Sequence, residues 1–363
     1  MSSGKNLLTP YIKSLLLDPP NLTPHDLLTV LAVIFRGLAS DIQVSAFLTA
    51  LRLKGLDQRP EYIAAAVTTI LEFSDTIAAA DVHPDGYIDI VGTGGDGQNT
   101  FNVLTSSAIV AAGMGLPVCK HGGKALTSTS GSGDLLKCLG VDLMKVNLTT
   151  APKIVEKSNF CYLFAPAFHP GMGAVSYVRG QLGVPTIFNI LGPLINPMPI
   201  RAQILGVYSE ALGELYAQAV LQLQKLGRPF RNTMVVWGEV GLDEISPCGP
   251  TKCWIVQNGT ITRTTISPKD FGLPLHDLSQ VKSGTPEENA EKLLHILRQD
   301  LPLYDIKFNN PLVDYILLNS AALAYVAGVA NNFAHGVELA REAITSGAAL
   351  EQVEAFKSAI NGL

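Results

Sequence analysis

Four glycines crowd into the six residues Gly92-Thr93-Gly94-Gly95-Asp96-Gly97. They directly follow the β-type run Tyr87-Ile88-Asp89-Ile90-Val91 and precede a helical run over residues 105–113. A strand that ends in such a loop and continues into a helix restricts the fold more than anything else in the chain. Leu116-Pro117-Val118-Cys119-Lys120 reads as a second short strand. Strand, loop, helix, strand is the repeating unit of a parallel α/β sheet. Residues 204–208, 233–237 and 253–256 are further strand candidates, with a crossover helix over 210–226.

Before Pro84 the pattern is helical only. Thr23-Pro24-His25-Asp26 sets a capping hydroxyl before a proline at the first helical position, with an acid in the first turn. Leu27, Leu28, Val30, Leu31, Val33 and Ile34 follow at helical spacing. Ser40 caps the next helix, which sets Ile42, Ala46, Phe47 and Leu51 on one face and stops at Gly55. Ala64, Ala65 and Ala66 let a further helix approach closely. The C-terminal stretches 311–330 and 336–344 are helical again. The expected fold is α/β: a small helical domain over residues 1–80, with a further contribution from 170–195, and a larger domain over 85–165 and 200–363 with a mainly parallel central sheet.

A chain of 363 residues is long enough for two such cores. With 26 Lys and Arg against 31 Asp and Glu, the formal charge of −5 argues against a nucleic-acid partner. No apolar window has the length of a membrane span, and the N-terminus lacks the layout of a signal peptide. Five scattered cysteines, an odd number, fit a reducing cytoplasm. Cys248 and Cys253, with no histidine near, read as two unrelated thiols rather than a zinc site.

Four clusters could carry chemistry. The glycine loop offers backbone N–H groups and a helix N-terminus to an anion, most naturally phosphate or diphosphate. A simple turn rarely needs so many glycines. Gly92, Gly94 and Gly97 also match the dinucleotide pattern, but the second strand ends in Lys120-His121 where a nicotinamide site wants an acid. The second cluster is Lys120-His121-Gly122-Gly123-Lys124, then Thr127-Ser128-Thr129-Ser130-Gly131-Ser132-Gly133-Asp134. Its ammonium groups and hydroxyls suit phosphate oxygens; a flexible linker with surface lysines is the plain alternative, although the stretch runs into an apolar helix. The third joins His169 and Arg179 to the Gly/Pro/Asn stretch 182–197, where an arginine can grip a carboxylate. The fourth is Asp243-Glu244, solvated loop charges unless a cation such as Mg2+ lies between them and a bound diphosphate.

Taken in this order, the motifs Gly92–Gly97, Lys120-His121-Gly122, Ser130-Gly131-Ser132, His169-Pro170, Arg179 with Leu182-Gly183, Thr186-Ile187-Phe188-Asn189 through Asn196-Pro197, and Gly241-Leu242-Asp243-Glu244 resemble the anthranilate phosphoribosyltransferases of tryptophan biosynthesis. The resemblance spans essentially the whole chain. It implies a homodimer through the helical domain and two substrates, 5-phosphoribosyl 1-diphosphate and anthranilate. The diphosphate substrate would meet Gly92, Gly95, Asp96, Thr100, Asn102, Thr105, Lys120 and Ser132. Anthranilate would meet Gly92, His121 and Arg179, with Gly122 beside them, and Mg2+ would be held by Asp243 and Glu244. No acid or base is assigned; Lys120 and His121 would act electrostatically, and Lys120, His121, Lys124 and Arg179 would reverse the local field of an acidic protein. Three positions depart from the family pattern: Gly123 and Lys124 stand where Asn-Arg is usual, and Leu104 stands where a metal-contacting Ser is usual. The competing readings are a pyrimidine-nucleoside phosphorylase, which needs no diphosphate metal, a non-catalytic phosphometabolite-binding protein, and a dinucleotide dehydrogenase.

Overall fold

A computed structural model describes residues 6–78, 83–124, 129–300 and 310–362. Thr127 and Ser128 of the second cluster fall outside them. Four helices open the chain: α1 (Thr9–Leu16), α2 (Pro24–Phe35), α3 (Asp41–Leu53) and α4 (Pro60–Glu72). Thr23 and Asp26 close a reciprocal capping box on α2, the hydroxyl accepting from Asp26 N at 3.1 Å and the carboxylate from Thr23 N at 2.8 Å. Gly55 takes a left-handed φ of 66° just past α3. The expected face of α3 is partly shifted: Ile42 is 82 % exposed, whereas Phe47 and Leu51 are buried as expected, together with Gln43, Val44, Leu48 and Ala50. Packing against α1 and α9 (Gly173–Leu182), rather than apolarity alone, sets the phase.

The strands are β1 (Tyr87–Gly92), β2 (Val118–Gly122), β3 (Phe160–Phe164), β4 (Ile200–Gly206), β5 (Asn232–Gly238), β6 (Thr251–Gln257) and β7 (Thr260–Ile266). They form one sheet in the order β3-β2-β1-β4-β5-β6-β7, parallel as far as β5 and antiparallel beyond it. β3 is a five-residue run buried throughout, with no alternation for a sequence pattern to catch. β7 is an exposed edge strand of threonines reached through an Asn258-Gly259 turn.

α5 (Val103–Gly113) crosses from β1 to β2, and α6 (Ser132–Cys138), α7 (Ala151–Val155) and α8 (Ala165–Phe168) flank β3. α10 (Glu210–Lys225) links β4 to β5 and packs on both β5 and α4. After α11 (Pro286–Arg298), the helices α12 (Pro311–Val326), α13 (Phe333–Thr345) and α14 (Ala348–Asn361) gather around α5.

β2 and β4 lie on opposite sides of β1, so the order of connection reverses there. At such a switch point the loops leave the carboxyl ends of neighbouring strands in opposite directions and open a crevice. The glycine loop leaves β1 at this point, and Lys120-His121-Gly122 closes β2 beside it.

Candidate active site

The glycine loop wraps around a carboxylate. Gly94, Gly95 and Gly97 all have positive φ, at 67°, 80° and 71°, which side chains resist and glycine accepts. Gly94 N donates to Asp243 Oδ2 at 2.6 Å. A Cβ on Gly92 would lie 2.2 Å from the same oxygen, so the strand end must be bare for Asp243 to approach. Glu244 accepts from Thr100 Oγ1 at 3.2 Å and, over a short bond, from the hydroxyl of Tyr315 on α12. Asp243 and Glu244 are 6 % and 7 % exposed, not the solvated loop charges that sequence context alone allows. Burial, and then the charge of Asp96, pushes Asp243 up to about 7. Burial, followed by Asp243, holds Glu244 well above the usual carboxylate range.

This donor set bears on a metal. Among the described residues no group of three or more His, Cys, Asp or Glu side chains is placed to hold an ion alone. Two adjacent carboxylates whose repulsion is uncompensated do fit a hard cation that completes its shell with ligand oxygens and water. Leu104, one residue into α5, is half-buried against the core and offers no oxygen.

Lys120 is 2 % exposed and its ammonium donates to Ile90 O at 2.5 Å. Burial lowers its pKa, and Asp89, Glu244 and Asp243 oppose that in decreasing order. His121 meets His169, with their Nε2 atoms 3.0 Å apart, and His169 Nδ1 lies 2.6 Å from Ser74 Oγ at the end of α4. Burial alone brings His169 down to about 4; burial and then His169 keep His121 well below the ordinary imidazole range. His121 is therefore neutral near pH 7, which corrects its expected place among the cations; it serves as a hydrogen-bonding dipole. Lys124 is exposed at the start of the next loop.

Asn102 and Ser130 are reciprocally bonded: Asn102 Nδ2 donates to Ser130 O at 2.8 Å and Ser130 Oγ to Asn102 Oδ1 at 2.9 Å. Asn289 of α11 donates to Asn102 Oδ1 at 2.9 Å. Ser132 opens α6, and Thr105 Oγ1 is buried without a partner at the start of α5. Gly122 lies against Tyr162, whose hydroxyl donates to Gly123 O at 3.2 Å. Among the described residues nothing lies within 4 Å of a Cβ added at Gly123, where the usual Asn is absent.

Arg179 stands apart from the glycine loop, on α9, with its guanidinium 5.6 Å from the centre of the Phe188 ring. Burial lowers its pKa, and among the described residues no carboxylate lies within ion-pair distance of it. Phe35, Ile70, Phe73, Ser74, His169, Gly171 and Met172 line a small crevice nearby, between α2, the end of α4 and the segment 169–172. Sequence reasoning missed Tyr315, Asn289, Tyr162 and Ser74. None has a motif around it; each is brought to the site from a distant helix or strand.

Two family models match the chain: the helical bundle domain of a glycosyl transferase family over residues 9–74, and its a/b domain over residues 85–350. Anthranilate phosphoribosyltransferase of Schizosaccharomyces pombe is 47 % identical over 90 % of this chain and 90 % of its own length. The Saccharomyces cerevisiae enzyme in complex with PRPP and Mg superposes with a TM-score of 0.91 at 44 % identity, covering 100 % of both chains. The same yeast enzyme in complex with 4-fluoroanthranilate gives a TM-score of 0.88 at 42 % identity, over 98 % of both chains.

Proposed function

Because the chain belongs to the anthranilate phosphoribosyltransferase family, we infer that its switch-point crevice is where that chemistry runs. The enzyme transfers the phosphoribosyl group of 5-phosphoribosyl 1-diphosphate to the amine of anthranilate, giving N-(5-phosphoribosyl)anthranilate and diphosphate, in tryptophan biosynthesis. The observation that carries the site assignment is the meeting of the glycine loop, Lys120 and the buried Asp243-Glu244 pair at the ends of β1 and β2. The direct test follows anthranilate fluorescence on adding 5-phosphoribosyl 1-diphosphate with Mg2+. Loss of signal at a rate proportional to enzyme is expected, and no loss would refute the reading.

An aromatic amine is neutral at pH 7 and needs little activation. The charge that develops on the leaving diphosphate, and on an oxocarbenium-like sugar, is what the protein must stabilise. Backbone N–H groups of Gly92, Gly95 and Asp96 cradle the diphosphate, with Thr100, Asn102, Thr105, Lys120 and Ser132 around it. Lys120 supplies a buried positive charge, and a preorganised charge in a dry site acts more strongly than one in water. Asp243 and Glu244 would hold Mg2+ alongside the diphosphate, where it would supply positive charge against that of the leaving group. His121, neutral and held by His169, lies on the anthranilate side with Gly92 and Gly122.

Gly95 has a φ of 80°, and among the described residues only Tyr208 Cδ1 comes within 4 Å of an added Cβ, at 3.9 Å. Gly95→Val should therefore fold but distort the loop, and calorimetry should find diphosphate-substrate binding abolished. Retained binding would count against the cradle. Arg179, with no carboxylate partner among the described residues, pairs with the carboxylate of anthranilate. Arg179→Ala should raise the anthranilate KM by about tenfold or more, as expected for losing a charge-assisted bond. The KM of the phosphoribosyl substrate should change little; equal effects on both would remove the assignment.

The same reading makes residues 1–80, with a contribution from 170–195, the helical domain, and 85–165 with 200–363 the phosphoribosyl-binding domain. It pairs two copies through the former, where Leu16, Leu17, Ile42 and Leu53 leave apolar surface exposed. It also places the enzyme in the cytoplasm, in keeping with five free cysteines. No described helix is long and apolar enough to cross a membrane.

A further inference from the structure

The segment that follows the glycine loop is laced to a strap from far along the chain. Phe101 N donates to Val281 O at 2.9 Å, and Ser283 N donates to Asn99 O at 2.9 Å. Thr100 and Lys282 pair antiparallel between them. The strap runs directly into α11, whose first turn is closed by a capping box. Glu288 N donates to Thr285 Oγ1 at 3.2 Å, and Thr285 N donates to Glu288 Oε2 at 2.9 Å. Asn289 follows in the same turn of α11 and is 0 % exposed. Gly284 N donates to Asn289 Oδ1 at 2.8 Å. Asn289 Nδ2 donates to Ser283 Oγ and to Asn102 Oδ1, each at 2.9 Å.

These bonds form a chain with only one sense. A backbone N–H can only donate, so the atom of Asn289 facing Gly284 is the oxygen, and the amide nitrogen faces Asn102. That nitrogen can only donate, so the atom of Asn102 that meets it is the oxygen. The Asn102 nitrogen is then turned to Ser130 O, 2.8 Å away, an acceptor that demands the same sense. A side-chain amide nitrogen carries two hydrogens. Asn289 uses both inside the protein and has none to offer a ligand. Asn102 uses one, on Ser130 O, and the other has no partner among the described residues. Asn102 is also only half-buried, unlike Asn289. Turned over, Asn102 would face an anion with an oxygen lone pair in place of this N–H.

We propose that Asn289 is a positioning residue for Asn102: from the capped start of α11 it fixes the sense of the Asn102 amide, so that a donor and not an acceptor meets the diphosphate of the substrate. A hydrogen bond to a charged acceptor is among the stronger ones, and a donor held in place beforehand gives it without reorganisation. The proposal rests on the assignment of Asn102 to the diphosphate made above.

The test is a double-mutant cycle on the whole enzyme, read by steady-state kinetics and urea unfolding. Asn289→Leu is neutral and similar in size, and it removes both donors. It should lower kcat/KM for 5-phosphoribosyl 1-diphosphate by about tenfold or more, the scale of a hydrogen bond to a charged group. The anthranilate KM at saturating 5-phosphoribosyl 1-diphosphate should hold, whereas a purely structural loss would move both. In an Asn102→Ala background the same substitution should still lower the urea midpoint yet change kcat/KM no further, because coupled residues are not additive. Ser283→Ala removes the other acceptor of Asn289 and should leave kcat/KM level; a loss as large as that of Asn289→Leu would trace the effect to the strap and overturn the proposal. If Asn102→Ala alone leaves the diphosphate-substrate kinetics unchanged, the assignment of Asn102 fails. If Asn102→Ala is impaired but Asn289→Leu is not, or if the two losses add, the assignment stands and the proposal falls. Should Asn289→Leu not fold, the smaller Asn289→Ala reads the same cycle; if neither folds, Asn289 is structural and the proposal falls as well.

Discussion

Gly206→Ala should abolish turnover and lower the melting temperature in the same step. Gly206 ends β4 opposite Gly92 of β1. A Cβ built on it would lie 1.7 Å from the carbonyl oxygen of Asp243 and 2.6 Å from its carbonyl carbon. Those are backbone atoms, and no rotamer change relieves the overlap. Either β4 or the Asp243-Glu244 loop must move, and overpacking of this kind costs about 1–3 kcal/mol or more. A shift of an ångström in a group that meets reacting charge costs on the order of a hundredfold in rate. Gly92→Ala is the milder partner experiment. Its Cβ would meet the end of the Asp243 side chain, at 2.2 Å from Oδ2, and that end can swing away. Gly92→Ala should keep most of its stability and lose activity, whereas Gly206→Ala loses both. Calorimetry with steady-state rates separates the two, and a fully active Gly206→Ala enzyme would mean that the placement of Asp243 does not matter.

The glycine loop was legible in the sequence because its requirement is local. Positive φ at Gly94, Gly95 and Gly97 and bare backbone at Gly92 leave a mark at those positions. The capping box at Thr23 and the stop at Gly55 are legible for the same reason. The parallel sheet follows from strand and helix spacing, and the observed strand order agrees with the α/β class. What the sequence hides is distance. Nothing near Tyr315 says that its hydroxyl reaches Glu244, 71 residues earlier in the chain. Burial is hidden too. Asp243-Glu244 looks like any acidic loop until α12 covers it, and His121 looks like a cation until His169 and the surrounding core exclude water. Ile42 shows the converse, an apolar residue at helical spacing left exposed because α1 and α9 fix which face of α3 turns inward. In each case a nonlocal partner decides the chemistry of a residue whose identity is plain.

The double substitution Asp243→Asn with Glu244→Gln should remove most activity at low Mg2+ while making the enzyme without metal more stable. Both side chains keep their shape, and amide oxygens can still accept from Gly94 N and Thr100 Oγ1. What disappears is a pair of buried negative charges. Asp243 rises from 3.8 to about 7 in the folded chain, chiefly through burial. A folded carboxyl that holds its proton more tightly than the unfolded one contributes stability that is fully present below the unfolded value. That stability is lost as pH rises through the folded value. Without metal, the wild-type enzyme should therefore lose stability between about pH 4 and 7 through this group. The double variant should not, and the gap between their urea midpoints should widen over that interval. Adding Mg2+ with diphosphate should close the gap from the wild-type side only, because a ligand stabilises the form that binds it. Turnover of the variant should be down by about a hundredfold or more at low Mg2+, the range seen when one preorganised electrostatic contact to a transition state is removed. Leu104 cannot supply a side-chain oxygen, so water or a diphosphate oxygen would complete the shell. A double variant with the wild-type rate across a Mg2+ titration would sink the assignment of these carboxylates. A wild-type enzyme equally active in excess chelator would remove the metal from the reaction altogether.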